Sequence, residues 1–437
     1  MSFLPQVIFL VLLVTAAVFF FRSVKRIWGN IKLGLPFDRS DKKSERIKQM
    51  VLVAFGQKKM FKRPVPAFLH LLVYAGFLIV NMELLEIVLD GLLGKHRIFE
   101  GVLGGFYPYL INFFEFFAVA VLLSCVIFLI RRNVVKIKRF HLSEMTKWPK
   151  LDGNLILIFE IVLMLFLLNM NATDSLLMET KGLKQSFFFS DLFKPLYGSA
   201  SIEGLHVAER FYWWAHIIGI CFFANYVPYS KHLHIFLAFP NTYWSNLELK
   251  GKMVNMDTVT KEVKLMLGMP VENSDAAPAE VGRFGAKDVK DLSQKNLLDA
   301  YACTECGRCT SNCPANLTGK TLSPRKIMMD TRDRLEEYGK GVKAEGAAFD
   351  DGKSLLGDYI TEEEIFACTT CNACTEACPV NIDPMNIITE LRRFKVMEEA
   401  QGPSEWNGMY QNIETSFNPW KFPPSDRKKW TEGLKAE

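Results

Sequence analysis

The sequence contains the run Cys303-Thr304-Glu305-Cys306-Gly307-Arg308-Cys309-Thr310-Ser311-Asn312-Cys313-Pro314, whose Cys spacing is C-x2-C-x2-C-x3-C-P. The same spacing returns in Cys368-Thr369-Thr370-Cys371-Asn372-Ala373-Cys374-Thr375-Glu376-Ala377-Cys378-Pro379. The chain has ten Cys, and the other two, Cys125 and Cys221, lie in apolar stretches. A disulfide framework would not cluster its Cys in this way in a long chain, so the pattern indicates metal ligation in a reducing compartment.

The spacing is typical of [4Fe–4S] ligands. Three thiolates on one tight loop bind three irons, and the fourth Cys, on the following segment, usually ligates the other cluster. Zinc would require paired C-x2-C knuckles and would leave the third and fourth Cys of each run unexplained. The sequence therefore predicts two clusters with crossed ligand sets, namely Cys303, Cys306, Cys309 with Cys378, and Cys368, Cys371, Cys374 with Cys313.

The region around these runs, about 285–400, is predicted to be mostly helical, with an insertion between the two motifs. It resembles the α-helical ferredoxin domain of the C subunit of heterodisulfide reductase and of the iron–sulfur subunits of succinate and glycerol-3-phosphate dehydrogenases. The resemblance includes Gly319-Lys320, Leu322-Ser323-Pro324-Arg325 and Leu391-Arg392-Arg393. It implies that these residues shape the cluster surroundings or a partner surface, although the three Arg are equally well interpreted as charges on helix faces.

The first half of the chain predicts a membrane domain. The 437 residues are 49% hydrophobic and 23% charged, which excludes a disordered chain, and the net charge of +5 argues against nucleic-acid binding. Apolar segments of about 20 residues, the length of a membrane span, lie near 5–22, 67–89, 107–130, 154–173 and 207–235. The loops at 22–63 and 131–150 contain 13 and 7 Lys or Arg, whereas the loops at 89–106 and 175–206 contain 2 and 3. The positive-inside rule therefore places the N-terminus outside. We expect a bacterial inner (cytoplasmic) membrane protein with a cytoplasmic C-terminal half.

Four of the seven His lie within the predicted spans: His70, His216, His232 and His234. His70 and His234 share the cytoplasmic depth. In one continuous helix, His216 and His234 are about five turns of 3.6 residues apart and share a face, whereas His232 points almost opposite. Two facing neutral imidazoles are what a six-coordinate haem b needs, so His70 and His234 are the predicted ligands, with a hydrogen-bonded His pair as the alternative.

The membrane half also resembles the gamma subunit of respiratory nitrate reductase and its relatives in heterodisulfide reductase-like complexes. The resemblance rests on Phe68-Leu69-His70, Trp214-Ala215-His216-Ile217 and the run from Pro228 to Ile235. It implies four His around two b haems, but only His70, His216 and His234 carry over, and the fourth position falls near Val80 and Asn81. At least one haem b is therefore predicted, and His216 is assigned to a quinone, a haem propionate or a second haem.

Carboxylates within the predicted spans have two interpretations. Glu83, Glu86, Glu115 and Glu160 either relay protons for quinol chemistry or, for Glu83 and Glu86, mark the end of a helix.

Together these features predict an all-α protein, a five-helix transmembrane bundle followed by a cytoplasmic α-helical ferredoxin domain. The predicted divisions are a membrane domain at 1–241, a connection and linker at 242–286, the ferredoxin domain at 287–400 and a partner-docking tail at 401–437. The sequence contains no nucleotide-binding glycine loop or catalytic triad, and no catalytic residue is assigned.

We expect an electron-transfer subunit of a quinone-linked oxidoreductase, whose partners are membrane lipid, quinone and a soluble redox subunit. The resemblance implies that this soluble partner holds a Cys-Cys-Gly domain, and the tail aromatics Trp406, Tyr410, Trp420 and Trp430 would dock it, unless they fold back on the ferredoxin domain. The alternatives are a membrane-anchored iron–sulfur redox sensor or scaffold without haem, and an anchor whose His are purely structural.

Overall fold

The computed structural model describes residues 3–182, 186–249, 251–270 and 283–434. Within these ranges the chain is mostly helical, and its only β contacts are the isolated bridges Leu35 to Ser293 and Leu356 to Ile360. The helices in chain order are α1 Leu4–Ile31, α2 Lys43–Met50, α3 Pro64–Leu93, α4 Glu100–Leu103, α5 Tyr107–Asn133, α6 Trp148–Thr180, α7 Ile202–Tyr226, α8 His234–Tyr243, α9 Asp257–Met266, α10 Gln294–Ala302, α11 Pro314–Leu317, α12 Pro324–Glu345, α13 Glu362–Phe366, α14 Ala373–Ala377, α15 Pro384–Arg393 and α16 Ser404–Ser416.

Four helical segments in the described part of the chain are long and apolar enough to cross a membrane: α1, α3, the stretch Glu100–Asn133 that contains α4 and α5, and α6. The principal helix of each begins with Pro in its first turn. Proline is suited to this position because its missing N–H would have no helical partner there and its φ is already helical. These helices correspond to the first four predicted spans.

The fifth predicted span is interrupted. Helix α7 begins after Ser201, whose hydroxyl accepts a hydrogen bond from the Gly204 N–H, and it ends at Tyr226. Two 3-10 turns, Val227–Tyr229 and Lys231–Leu233, then lead into α8. The prediction of one continuous helix to residue 235 is therefore wrong. Pro228 cannot donate a helical hydrogen bond, and Ser230 is extended and accepts from the His232 N–H.

The membrane helices form one bundle in which α6 packs along α5 and α7, α3 packs on α5, and α1 packs on α7. The apolar core includes Phe9, Val121, Leu163 and Trp213. Gly76 allows α3 to approach α5 closely, since a Cβ there would lie 2.4 Å from the Val121 side chain. Four helices of the described residues are therefore candidate spans, and the five-span count stays a prediction.

The C-terminal half packs α12 against α10 and α15, with Leu297, Ile327, Leu335 and Leu391 fully buried between them. This core continues into the membrane half, because Ile27, Ile31, Val227 and Leu233 belong to the same apolar cluster. The two halves are thus joined by shared packing, and the predicted domain boundaries stay predictions.

The predicted connection and tail are only partly regular. Helix α9 lies in the connection, whereas residues 271–282 of the predicted linker lie outside the described residues. In the tail, the Trp406 ring packs edge-on against Phe366 of the C-terminal half at 5.2 Å, while Trp420 and Trp430 are 70% and 75% exposed. Trp406 therefore follows the fold-back alternative.

Candidate functional site

The first Cys run leaves α10 as a tightly curled loop. Cys303 is the C-terminal cap of α10, and Glu305 and Gly307 both have positive φ, 53° and 70°. The loop then forms the 3-10 turn Thr310–Asn312 before Pro314 starts α11. These turns direct successive Cys side chains toward one point, which is the geometry that three thiolates on one cluster require.

The structure brings the first predicted ligand set together. Cys303, Cys306, Cys309 and the sequence-distant Cys378 line one small cavity, with Gly307 and Met328 beside them. Cys313 is instead an electrostatic neighbour of Cys368, which also faces Cys371. Both arrangements are what the crossed sets predict, and the ligand assignments themselves stay predictions.

Backbone N–H groups point at the sulfurs of the second run and of Cys378. Thr370 donates to Cys368 Sγ and Ile382 donates to Cys378 Sγ, each at 3.3 Å. Such N–H···S bonds stabilise thiolates that ligate iron. Of the eight ligands predicted, Cys371 is the one that is exposed.

The chemistry of these thiols fits a metal cluster. Burial raises the pKa of Cys303, Cys374 and Cys378 to about 12, so as free thiols they would be protonated and inert at neutral pH. Thiolates in such a setting need a directly bonded cation, which iron supplies. No three His, Cys, Asp or Glu side chains among the described residues are close enough to hold a single metal ion.

The three Arg residues that belong to the resemblance with the α-helical ferredoxin domain have different roles. Arg325 is fully buried and donates to Glu144 at 2.7 Å and to the Arg139 carbonyl at 2.6 Å. Arg392 donates to the carbonyl oxygens of Ile365 and Cys368, and so supports the second Cys run. Arg393 pairs with Glu390, one turn away on its own helix. Arg393 also donates to the Val254 carbonyl, so none of the three Arg is only a helix-face charge.

A second cavity, of about 450 Å³, runs through the membrane bundle up to the first Cys run. His70, His216, His232 and His234 all line it, and so do Thr304, Cys306 and Arg308 of the Cys loop. The predicted membrane site and the first iron–sulfur site therefore share one cavity.

His70 and His234 face each other across this cavity. Their ring centroids are 6.3 Å apart with an interplanar angle of 45°. His70 Nδ1 lies 3.2 Å from Gln57 Oε1, and His234 Nδ1 lies 3.0 Å from the Lys231 carbonyl. Because both partners are acceptors, each Nδ1 carries the proton and each Nε2 keeps its lone pair for a ligand, which is the usual arrangement of metal-binding His.

His216 has the same arrangement further into the bundle. Its Nδ1 lies 3.0 Å from the Leu163 carbonyl, and the side chain is buried. His232 differs, since its ring packs on Phe223 at 5.3 Å and its side chain has no hydrogen bond within the described residues. Its ring centroid lies 5.7 Å from that of His234, and it lines the same cavity, so the prediction that it points away is wrong. His232 lies in the 3-10 turn Lys231–Leu233 and not in the continuous helix on which that prediction relied.

The buried carboxylates separate into two kinds. Glu86 accepts from the Phe99 N–H and the Tyr107 hydroxyl, and Glu115 accepts from the Phe189 and Ser190 N–H groups, so both hold loops at the ends of helices. Glu83 and Glu160 instead line the His cavity, and Glu83 Oε2 has no hydrogen-bond partner in the described part of the chain. Only these two remain placed for proton chemistry.

Sequence reasoning missed the ion pairs that join the two halves. Glu305, between two Cys of the first run, is buried and pairs with Lys231 of the membrane half and with Arg332 at 2.8 Å. These cations hold the pKa of Glu305 below its usual range against the opposing effect of burial. The only signal in the sequence was a charged residue inside a cluster motif, which does not identify its partner.

Comparison with known proteins agrees with this picture for the C-terminal half. Residues 302–382 match the family described as the 4Fe-4S dicluster domain. The chain is 34% identical over 119 residues to the C subunit of the ferredoxin/F(420)H(2)-dependent CoB-CoM heterodisulfide reductase of Methanosarcina acetivorans, covering 27% of this chain and 60% of that protein. This confirms the predicted iron–sulfur domain and its likeness to heterodisulfide reductase.

Two relatives match along nearly the whole chain. The probable iron-sulfur-binding oxidoreductase FadF of Bacillus subtilis is 30% identical over 97% of this chain and 60% of its own length. The EtfAB:quinone oxidoreductase of Syntrophomonas wolfei is 26% identical over 97% of this chain and 59% of its own length. The chain thus spans about three fifths of these relatives. No solved structure matches. The relatives are oxidoreductases, consistent with the predicted electron-transfer role, while the nitrate reductase gamma-like character of the membrane half stays a prediction.

Proposed function

We propose that this chain is an electron-transfer subunit of a membrane-bound oxidoreductase that connects a soluble redox partner with a membrane quinone through two [4Fe–4S] clusters and haem b. The observation that carries the proposal is the cavity shared by the four His and the first Cys run. An iron–sulfur site and a His pair that open into one interior space are arranged for electron exchange.

The His pair fits a bis-imidazole haem. Two imidazoles that bind one metal through Nε2 have ring centres about 6 Å apart, since each metal–nitrogen bond is about 2 Å. The measured 6.3 Å between His70 and His234 agrees with this requirement. A six-coordinate haem would supply one-electron redox chemistry without binding substrate at the iron.

The exposure of the Cys sets supports an order of electron transfer. Cys371 of the second set is exposed, whereas Cys306 of the first set lines the His cavity. Cys374 and Cys309 are electrostatic neighbours, so the two sets adjoin. The second set is therefore the contact with the soluble partner and the first set is the contact with the membrane.

His216, Glu83 and Glu160 are the residues suited to quinone in the deeper part of the cavity. His216 Nε2 has no hydrogen-bond partner among the residues that the structure describes, and the two carboxylates lie beside the same space. Quinone reduction consumes protons, and buried carboxylates within a bundle are the groups that deliver them.

The proposed setting is the bacterial inner membrane, with five spans, the N-terminus outside and residues 287–400 in the cytoplasm. The exposed Trp420 and Trp430 are proposed to dock the soluble partner, which would carry the Cys-Cys-Gly domain. Replacing both by Ala should abolish co-purification of that partner and leave both clusters intact. Trp406→Ala is the contrasting variant, because it removes packing on Phe366 and should lower domain stability instead.

The deciding experiment is a reduced-minus-oxidised visible spectrum of membranes containing the full chain, together with its EPR spectrum. A sharp b-type α band plus two [4Fe–4S] signals is expected. Clusters without the haem band would favour a redox sensor or a simple anchor and would refute the proposed haem. A quinol analogue should then reduce the b-type signal in the wild type, and a Glu160→Gln variant should slow that reduction.

A further inference from the structure

Several Arg residues gather at the cytoplasmic end of the His cavity. Arg132, Arg139 and Arg308 all line it there, next to Lys231. Lys231 is paired with Glu305 and Asp152, but none of these three Arg forms an ion pair with any residue that the structure describes. The cavity therefore ends in several cations that lack carboxylate partners.

Arg308 is the most constrained of these residues. It lies between Cys306 and Cys309, is only 5% exposed, and lines both the His cavity and the first Cys cavity. Its Nη1 makes only long contacts with the backbone carbonyls of Lys59 and Met60, at 3.3 and 3.4 Å. A buried guanidinium is unfavourable without an anion, and these neutral acceptors do not neutralise it. Its anionic neighbours are the thiolates of Cys306 and Cys378, and its Nη2 forms no hydrogen bond within the described residues.

Arg139 approaches the same end from the loop after α5. Its Nε is buried and has no hydrogen-bond partner within the described residues, and its guanidinium stacks on Phe140 at 4.8 Å. Burial, followed by the neighbouring charges of Arg63 and Arg308, lowers the pKa of Arg139 to about 10. Like charges held together in this way indicate a site for an anion with more than one negative charge.

We infer that Arg308 and Arg139 form a carboxylate-binding site that holds the acidic side chains of a tetrapyrrole against the first iron–sulfur loop. This inference rests on the proposed haem, since the Arg pair shares its cavity with His70 and His234. Arg binds carboxylates through paired N–H groups, so two Arg suit the two propionates of protohaem. Because Arg308 belongs to the Cys loop, the same contact joins the first cluster site to the membrane site.

The test uses the full chain, produced while haem synthesis is limited and then purified in detergent. It is titrated with iron protoporphyrin IX and, separately, with the dimethyl ester of the same porphyrin, whose propionates carry no charge. The wild type should bind the diacid at least about tenfold more tightly than the ester, since one charge-assisted hydrogen bond accounts for about tenfold or more. Arg308→Gln and Arg139→Gln should each remove most of this preference and leave ester binding unchanged.

Controls separate this inference from other causes. Arg308→Lys retains the charge and should keep part of the preference, while Arg22→Gln removes an exposed charge outside the cavity and should change nothing. Iron and sulfide contents of each variant report whether the clusters are retained. Wild-type protein that binds both porphyrins equally would overturn the inference but leave the proposed haem standing. Protein that binds neither would refute the proposed haem and the inference together.

A lipid phosphate is the other source of a suitable anion. If the Arg pair binds a headgroup, anionic phospholipid added to the haem-free protein should raise its melting temperature in the wild type only, and esterifying the porphyrin should have no effect. That result would also overturn the inference.

Discussion

Replacing Gly307 by Ala should destabilise the first Cys loop much more than replacing Gly319 does. Both glycines have positive φ, 70° and 86°, which costs a residue with a Cβ about 1–2 kcal/mol. A Cβ at Gly319 would meet no atom within 4 Å, so Gly319→Ala measures the backbone cost alone. A Cβ at Gly307 would lie 2.5 Å from Arg325 Nη1, and that side chain has to move.

Arg325 cannot move at low cost. It is fully buried and held by its hydrogen bonds to Glu144 and to the Arg139 carbonyl. Losing one hydrogen bond of a charged group costs about 1.5–3 kcal/mol, which with the backbone cost gives a total of about 2.5–5 kcal/mol for Gly307→Ala.

The assay is the loss of iron–sulfur absorbance from the detergent-solubilised protein on heating, compared among wild type, Gly307→Ala and Gly319→Ala. The midpoint for Gly307→Ala should fall two to three times as far. In an Arg325→Met background the extra cost of Gly307→Ala should largely disappear, because the group it displaces is gone. Equal effects of the two glycine substitutions would refute the proposed contact between the Cys loop and the buried Arg.

Three further experiments test other parts of the structure. Cys313→Ser should weaken the EPR signal of the second cluster and spare the first, and the opposite pattern would reverse the crossed assignment. His234→Ala should abolish the haem measured by the pyridine haemochrome assay, whereas His232→Ala should retain it. The His232 side chain lacks the hydrogen bond that fixes the tautomer of His234 as a ligand. Equal losses of haem in the two variants would contradict the choice of ligand. Asp330→Asn should stabilise the protein by about 1–2 kcal/mol at pH 7.5, although it removes the ion pair with Lys326 at 2.7 Å. Burial outweighs the opposing effect of Lys326 and raises the Asp330 pKa to about 6, above about 3.9 in the unfolded chain. The wild type therefore loses stability as the pH rises from about 4 through 6. That gain should shrink at pH 5, and a gain independent of pH would show that the charge of Asp330 is not the cause.

Local patterns in the sequence predicted much of this architecture. The spacing of the Cys runs constrains a short loop directly, and an apolar segment long enough for a bilayer becomes a helix because its backbone has no other partner there. The placement of Cys378 beside the first run was expected from the crossed ligation that paired motifs of this kind usually show, and not from local geometry. The prediction of a continuous helix from His216 to His234 was wrong because Pro228 and Ser230 interrupt it. The apolar composition of the segment does not indicate this break.

Contacts between the two halves could not be read from the sequence. Lys231 pairs with Glu305, Asn30 donates to the Tyr301 hydroxyl at 2.8 Å, and Lys59 donates to Asn381 Oδ1 at 2.9 Å. Each pair joins residues far apart in the chain, and a single Lys or Asn has no periodicity that identifies its partner. Only the folded structure brings them together.

The Lys231–Glu305 pair has a consequence for electron transfer. Lys231 binds the loop of the first Cys set through its side chain, and its carbonyl accepts the Nδ1–H of His234. One residue therefore fixes both the iron–sulfur loop and a proposed haem ligand. Breaking a buried ion pair by removing one partner costs about 3–5 kcal/mol, so this link resists separation. The rate of electron transfer falls steeply with distance. A rigid link therefore keeps these two sites close enough for transfer, whereas a flexible hinge between the two halves would let them separate.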